Sequence, residues 1–272
     1  MANLVDIFTQ SSGLKPSTPS MRFIKNKNFN WQDDLFTFNE LDPQRVLGNH
    51  TELDLSGSHS NHLFNVPYWI AYLTQLEELY LSDNELNQLP EFIGNLTNLQ
   101  RLGLSINRLT TLPESIIKLT QLKQLLLNDN EFSYLPEFIG NLTQLEDLDL
   151  SNNRLTSLPE SIGNLTQLRE LDLGNYLVLN NPLSISLPES ISNLTQLQYL
   201  NLYGNQLTNV PHFISNLTQL KELYLSNNQI ACIPDFICNL TQLEKLNLKN
   251  NPIDKKAQHK IKKLLPACTI DF

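Results

Sequence analysis

Cysteine is scarce in this chain of 272 residues, and the three that occur form neither a CxxC pair nor a Cys/His spacing suited to metal ligation. We therefore expect a reducing compartment. Long apolar runs are also missing: nowhere do 18 apolar residues occur together, and residues 1–20 hold no stretch like the apolar core of a secretory signal. These absences predict no membrane insertion and a protein that is cytoplasmic or is exported without a cleaved signal.

Positive charge is in short supply as well. The chain has 19 lysines and arginines against 28 aspartates and glutamates, which gives a formal net charge of −9. Nucleic acids and anionic lipid surfaces attract basic proteins, so neither is an expected partner. A neutral or basic protein partner fits this charge better.

Signatures of catalysis are missing too. The sequence has no GxSxG, P-loop or HExxH motif, and its five histidines show no spacing that suggests metal ligation. We expect no enzyme activity, no catalytic residues, no metal and no cofactor. We expect Cys232, Cys238 and Cys268 to be packing residues.

The dominant feature of the sequence is an internal repeat of 23 residues. The unit 217–239 reads LTQLKELYLSNNQIACIPDFICN, and the general form is LxxLxxLxLxxNxLxxLPxxIxN. An earlier, less regular unit begins at Leu47, so about nine units are predicted over 47–253. The regular units open at Leu73, Leu96, Leu119, Leu142, Leu165, Leu194, Leu217 and Leu240.

Each unit predicts its own local structure. In the stretch ELYLS, Leu79 and Leu81 recur at the period of two that is typical of a short strand with one buried face. One unit cannot hide its leucines alone, so the units must stack into a parallel sheet with a continuous core. The LP pair after each strand ends the extended segment and leaves room only for a helical turn.

A recurrent asparagine lies three residues past the buried leucines, at a tight bend. Its amide can both donate to and accept from backbone groups that lack strand partners, which predicts a ladder along the stack. These asparagines are Asn84, Asn107, Asn130, Asn153, Asn205, Asn228 and Asn251.

These units resemble leucine-rich repeats of the 23-residue class with the outer segment LPxxIGNLTQL. The resemblance implies an α/β solenoid, a horseshoe with a parallel β-sheet on the concave face and short helical turns or irregular segments on the convex face. Similar repeats occur in intracellular Ras-group scaffolds, in their plant relatives and in small bacterial proteins, some of which are effectors delivered into host cells. It therefore implies a scaffold that binds a protein partner on its concave face.

The repeat region, 47–253, has two ends and one large interruption. Residues 1–20 are rich in Ser, Thr and Pro and are expected to be mobile, whereas residues 21–46 hold enough apolar side chains for an N-terminal cap. Residues 254–272 are expected to form a C-terminal cap helix and a tail. Six extra residues in unit 165–193 form either an apolar finger that grips a partner or a loop folded on its neighbour.

Outward-facing strand residues vary between units and are the expected source of specificity. Because neighbouring strands lie about 4.8 Å apart, Asp149 and Asp172 are expected to repel each other, and a basic partner would relieve that cost. Tyrosines bury much area with little loss of entropy, which favours them at interfaces. The predicted partner-binding residues are Asp147, Asp149, Glu170, Asp172, Tyr176, Leu177, Leu179, Tyr199, Tyr203 and Tyr224.

Other interpretations of this face stay open at this stage. The residues would be merely solubilising, or the face would recognise a microbial glycan or lipid. Paired carboxylates on adjacent strands would also suit Ca²⁺ or acid–base hydrolysis of a glycan, although an open sheet is expected to offer no water-excluding pocket. We expect a monomer.

Overall fold

The computed structural model describes residues 21–22, 51–57, 62–176 and 185–272, which form a solenoid with one open parallel sheet. The predicted fold class is confirmed. Eleven strands of the described residues pair in chain order: β1 Met21–Arg22, β2 Glu52–Asp54, β3 Glu78–Tyr80, β4 Arg101–Gly103, β5 Gln124–Leu126, β6 Asp147–Asp149, β7 Glu170–Asp172, β8 Tyr199–Asn201, β9 Glu222–Tyr224, β10 Lys245–Asn247 and β11 Thr269–Asp271.

Short 3-10 turns lie on the side of each coil opposite the strand. Each turn follows a proline at its N-cap, where the ring fixes φ and the proline carbonyl accepts the first bond of the turn, as Pro90 does from the N–H of Ile93 at 3.0 Å. The eight turns of the described residues are Tyr68–Tyr72, Glu91–Asn95, Glu114–Lys118, Glu137–Asn141, Glu160–Asn164, Glu189–Asn193, His212–Asn216 and Asp235–Asn239.

The core between strands and turns is made of stacked leucines and isoleucines. Leu79, Leu102 and Leu148, the middle residues of their strands, have no exposed surface, and neither has Ile93 in the facing turn. Burying each such side chain contributes about 1.5–3 kcal/mol, but only when the next coil covers it. The turns pack closely as well, since a Cβ on Gly163 would lie 2.5 Å from the carbonyl oxygen of Ser190 in the following coil.

The asparagine ladder forms as predicted. Asn130 Nδ2 donates to the carbonyls of Leu127 at 3.0 Å and of Leu104 in the preceding coil at 2.9 Å, and its Oδ1 accepts from the backbone N–H of Leu109 at 2.9 Å. One buried amide therefore ties two coils together. The ladder is interrupted in the coil of β7, where the residue count places Tyr176 at the asparagine position. Similar bonds are made by Asn84, Asn107, Asn153, Asn228 and Asn251.

The residue before each ladder asparagine has a positive φ. Asp or Asn occupies five of these seven described positions, as expected, because their short polar side chains tolerate the left-handed region. Ile106 does not fit this pattern: it is β-branched, has φ 55° and is half exposed. The seven residues are Asp83, Ile106, Asp129, Asn152, Gly204, Asn227 and Asn250.

One α-helix, α1 (Lys255–Leu264), follows the last coil before β11. Asp254 caps it, since the Oδ1 of its side chain accepts from the backbone N–H of Ala257 at 2.7 Å. Ile261 is buried against the core, and Lys260 pairs with Asp235 in the last turn. The helix therefore lies at the end of the stack, beside the turns and not on the outward face of the strands.

One expectation about the cysteines was wrong. Cys232 and Cys238 are exposed, because both occupy solvent-facing positions of their coil, whereas Cys268 is half-buried and packs against the core as expected. Burial raises the pKa of the Cys268 thiol to about 11. The expected mobile segment 1–20, most of the expected cap 21–46, and Leu177 and Leu179 of the insertion lie outside the described residues.

Replacement of Asn130 by Ala tests the ladder. The variant leaves the N–H of Leu109 and the two carbonyls without this partner, so we expect a loss of about 2–3 kcal/mol in the free energy of unfolding. Urea unfolding followed by circular dichroism measures it. Asn98→Ala is the control, because Asn98 makes a single exposed bond to the Thr74 carbonyl and its loss should cost little. Equal effects of the two variants would contradict the account.

Replacement of Ile106 by Asn tests the strained position. Since asparagine tolerates a positive φ and Ile106 is half exposed, we expect the variant to be more stable by about 1 kcal/mol. Thermal unfolding of the two proteins in the same buffer measures the difference. A lower melting temperature for Ile106→Asn would show that its side chain contributes more than the backbone strain costs.

Candidate functional site

Four carboxylates face outward from two neighbouring strands near the middle of the sheet. The parallel register places Asp147 beside Glu170 and Asp149 beside Asp172. Strand neighbours are separated by about 4.8 Å, so side chains that are 23 residues apart in sequence become direct neighbours. We call these four residues the acidic patch.

The acidic patch lines a concavity of about 180 Å³ that opens to solvent. Leu126 on β5 closes one side, and Tyr199 on β8 closes the other. The side chains build a shallow depression on the sheet, which stays open to solvent.

Hydrogen bonds hold the two central aspartates in place. Asp149 Oδ1 accepts from the backbone N–H of Ser151 at 2.9 Å, and Asp172 Oδ1 accepts from the N–H of Gly174 at 2.7 Å. These bonds close the turn at the end of each strand. Asp172 Oδ2 also accepts from Asn201 Nδ2 at 3.0 Å. These neighbours therefore fix the positions of both carboxylates.

The environment disfavours the charge on all four carboxylates. Burial raises the pKa of Asp147, Asp149, Glu170 and Asp172 above the ordinary values, and it is the largest cause in each case. Repulsion adds to it: Asp172 and Asp147 raise the pKa of Asp149, and Asp147 raises that of Glu170. Both effects follow from placing like charges side by side on a partly desolvated sheet.

Charged residues elsewhere on the solenoid alternate in sign from coil to coil. Arg108 pairs with Glu85 at 3.0 Å, and Arg154 pairs with Glu131 at 3.0 Å, both across a separation of 23 residues. None of the six ion pairs between described residues includes a carboxylate of the acidic patch. The repeat can therefore neutralise charges on neighbouring coils, but it does not neutralise those of the acidic patch.

Tyrosines adjoin the acidic patch on its C-terminal side, as predicted from the outward rows. The rings of Tyr176 and Tyr203 stack with centroids 4.8 Å apart, and those of Tyr199 and Tyr224 lie 5.4 Å apart. Tyr199 also donates from its hydroxyl to Asp172 at 3.4 Å. We call these four residues the tyrosine cluster. It gives the site an aromatic wall next to its negative centre.

Three residues of this site were not predicted as functional: Leu126, Asn201 and Lys245. Leu126 lines the concavity, Asn201 bridges Asp172 and the hydroxyl of Tyr176, and Lys245 lies 2.9 Å from the Tyr224 hydroxyl. Their outward strand positions are readable from the repeat, but each looks unremarkable without its neighbours. Of the predicted residues, the structure brings together the acidic patch and the tyrosine cluster, while Leu177 and Leu179 lie outside the described residues.

Two other kinds of site, a metal centre and a membrane-spanning helix, concern the same described residues. In that part of the chain, no group of three or more His, Cys, Asp or Glu side chains is placed to hold a metal ion. Within the same residues, no helix is both long and apolar enough to cross a bilayer.

An open parallel sheet backed by short turns, with a varied outward face, defines a solenoid repeat protein. The family model for the leucine-rich repeat region matches residues 51–175 and 175–266. The chain belongs to the leucine-rich repeat family. Its fold marks it, at this general level, as a scaffold for protein–protein interaction, and proteins of the family are generally non-catalytic.

Several solved structures are similar. The leucine-rich repeat domain of the type III effector XCV3220 (XopL) is 28% identical with a TM-score of 0.66, and the match covers 90% of this chain and 89% of that one. The plant peptide hormone receptor RGFR1, solved in complex with RGF2, is 26% identical with a TM-score of 0.55, covering 76% of this chain and 37% of the receptor.

The functional domain of InlJ from Listeria monocytogenes has a TM-score of 0.62 at 24% identity, covering 81% of this chain and 48% of that one, and supports the fold alone. The chain thus spans less than half of the InlJ and RGFR1 chains that it matches. No curated protein gives a significant match.

Replacement of Asp149 by Asn tests the repulsion within the acidic patch. A raised pKa means that the folded state disfavours the ionised carboxylate, so the cost is complete above the folded pKa and disappears as the pH falls through it. We expect the variant to be more stable by about 0.5 kcal/mol at pH 7. The gain should vanish near pH 3, where wild-type Asp149 is protonated.

Asp54→Asn is the matched control for this experiment. Asp54 Oδ1 accepts from the N–H of Ser56 at 2.9 Å, as Asp149 does from Ser151, but its register neighbours are Arg22 on β1 and Tyr80 on β3, neither of which is a carboxylate. Thermal unfolding between pH 3 and pH 7 should show no comparable gain for the control. A destabilised Asp149→Asn at neutral pH would contradict the repulsion.

Proposed function

We propose that this protein is an interaction scaffold that binds a basic segment of a partner protein across β5 to β9. A lysine or arginine side chain of the partner enters the concavity between Asp149 and Asp172. The tyrosine cluster contacts the neighbouring residues of the partner. The scaffold acts by holding that partner and not by transforming it.

The observation that carries the proposal is the retained repulsion within the acidic patch. Four carboxylates lie in register on adjacent strands, the pKa of each is raised by burial, and none is ion-paired among the described residues. Like charges directly opposite each other on a sheet destabilise it. A cation from a partner removes that cost, and the partly desolvated setting strengthens the new interaction.

The tyrosine cluster supports the proposal independently of charge. Tyrosine is enriched among the residues that dominate binding energy, and stacked rings such as Tyr176 and Tyr203 are already ordered before binding. The sheet is also large enough. Eleven strands span about 48 Å, which accommodates a standard interface of about 800 Å² per partner.

The similar structures are consistent with this role. RGFR1, a plant peptide hormone receptor of similar structure, was solved in complex with RGF2. The similarity to the repeat domain of the effector XopL over nearly the whole of both chains supports an extension of the proposal, namely delivery into a host cell. A translocation reporter fused to the protein in the producing organism tests that extension, and a reporter signal confined to the producing cell would rule it out.

Selection of a random peptide library on the purified protein tests the binding proposal. We expect the selected peptides to carry lysine or arginine beside an aromatic or apolar residue. Their affinity, measured by fluorescence anisotropy, should fall about tenfold or more in Asp149→Lys/Asp172→Lys, which corresponds to about 1.4 kcal/mol. Tyr199→Ala/Tyr224→Ala should weaken binding without changing its salt dependence.

Glu114→Lys/Glu160→Lys is the charge-matched control, since both glutamates are exposed on the turn side of the solenoid. It should retain the wild-type affinity. The proposal is wrong if the selected peptides lack basic residues, or if the control loses as much affinity as the acidic-patch variant. Binding of glycans or lipid vesicles in place of peptides would favour the alternative ligands of the same face.

A further inference from the structure

Charge is distributed very unevenly along this acidic chain. Residues 245–263 contain seven of its 19 lysines and arginines but one of its 28 acidic residues. Although the net charge is −9, the end of the solenoid is a basic region. This region is a separate surface from the acidic patch.

Helix α1 concentrates this positive charge on one face. At 3.6 residues per turn, its six basic residues fall within an arc of about 160°, opposite the face that carries Ile261 and Leu264. Ile261 is buried against the solenoid, so the basic arc points into solvent. The exposed residues of the arc are Lys255, Lys256, His259, Lys260, Lys262 and Lys263.

Most of these charges are not neutralised within the described residues. Lys260 pairs with Asp235, whereas the other lysines of the arc take part in none of the six ion pairs found there. Lys262 lies over the ring of Phe272, with its nitrogen 5.5 Å from the centroid. We call Lys255, Lys256, Lys262 and Lys263 the lysine face.

The lysine face cannot reach the acidic patch of its own chain. The patch faces outward from β6 and β7, whereas α1 packs at the end of the stack beside the turn Asp235–Asn239. Three strand spacings, about 14 Å, separate β7 from β10 along the sheet, and the coil itself lies between the two surfaces. Two complementary and unneutralised surfaces on one molecule that cannot meet within it can meet between two copies.

We propose that the lysine face of one copy docks on the acidic patch of a second copy, so that the protein associates head to tail. The inference rests on the proposed function, because it uses the same acidic patch as a receptor for basic side chains. Helix α1 is about 15 Å long, which matches about three strand spacings of the sheet. The contact is heterologous: each copy keeps one free patch and one free lysine face, so association continues into rings or short filaments.

This contact also gives the scaffold a means of regulation. The lysine face of a second copy and the basic segment of a partner compete for the same carboxylates, so self-association lowers the number of patches open to the partner. The contact joins exposed charges of opposite sign, so salt should weaken it by screening that attraction.

Sedimentation velocity of the full chain over a concentration series tests the inference. We expect the weight-average sedimentation coefficient to rise with concentration at about 0.02 M salt and to stay at the monomer value at about 0.3 M. Lys256→Glu/Lys263→Glu should be monomeric in both buffers. Lys118→Glu/Lys221→Glu, which changes two exposed lysines elsewhere on the solenoid, should associate like the wild type.

A charge-swap pair makes the test specific. The patch of Asp149→Lys/Asp172→Lys carries two carboxylates and two lysines, and the lysine face of Lys256→Glu/Lys263→Glu carries two lysines and two glutamates, so each variant should be monomeric alone. Mixed together, the intact acidic patch of the second variant meets the intact lysine face of the first, and association should return as a pair of unlike copies. A monomeric wild type at low salt, equal loss in the control variant, or a mixture that stays monomeric would overturn the inference.

The same variants separate this inference from the proposed function. Lys256→Glu/Lys263→Glu leaves the acidic patch unchanged, so it should bind the selected basic peptides at least as well as the wild type. Peptide binding without self-association would overturn only the head-to-tail contact. Asp149→Lys/Asp172→Lys should lose both peptide binding and self-association. If Glu114→Lys/Glu160→Lys still binds the peptides and Lys118→Glu/Lys221→Glu still associates, that loss supports the two proposals together.

Discussion

Stacking of one coil on the next is the constraint on which the rest of this structure depends. The buried leucines of a coil become dry only when the neighbouring coil covers them, and the ladder asparagines bond the backbone of the coil before. Because both interactions recur every 23 residues, they fix the strands in register. Stability and the arrangement of the outward side chains therefore have a single cause.

The strand register determines which outward side chains become neighbours on the surface. Residues 23 apart become neighbours, so a charge that alternates between units becomes an ion pair, as in Glu131 and Arg154, and a charge that repeats becomes a repulsive pair, as in Asp149 and Asp172. The rigid frame tolerates such repulsion because its core supplies stability elsewhere. The folded protein can therefore keep a repulsive cluster of carboxylates on its outward face, and a cationic partner would remove that repulsion.

The period alone predicted the strands, the turns, the asparagine ladder and the rows of outward residues, because these depend on local pattern and on burial. It could not predict the strain at Ile106, where the coil imposes a positive φ that a β-branched residue disfavours. Nor could it predict the bond between Asn201 and Asp172, because the repeat places the two residues on neighbouring strands but does not fix the orientation of their side chains. The concavity depends on the conformations that the outward side chains adopt, which a repeat pattern does not encode.

The central claim is that the carboxylates of the acidic patch are held in a costly ionised state that a basic partner relieves. Carbon-13 NMR of the side-chain carboxyl groups reports the pKa of Asp149 and Asp172 in the free protein and in complex with a basic peptide. The account predicts pKa values above the ordinary range near 4 in the free protein and a clear fall on binding. Ordinary values in the free protein that do not move when the peptide binds would contradict it.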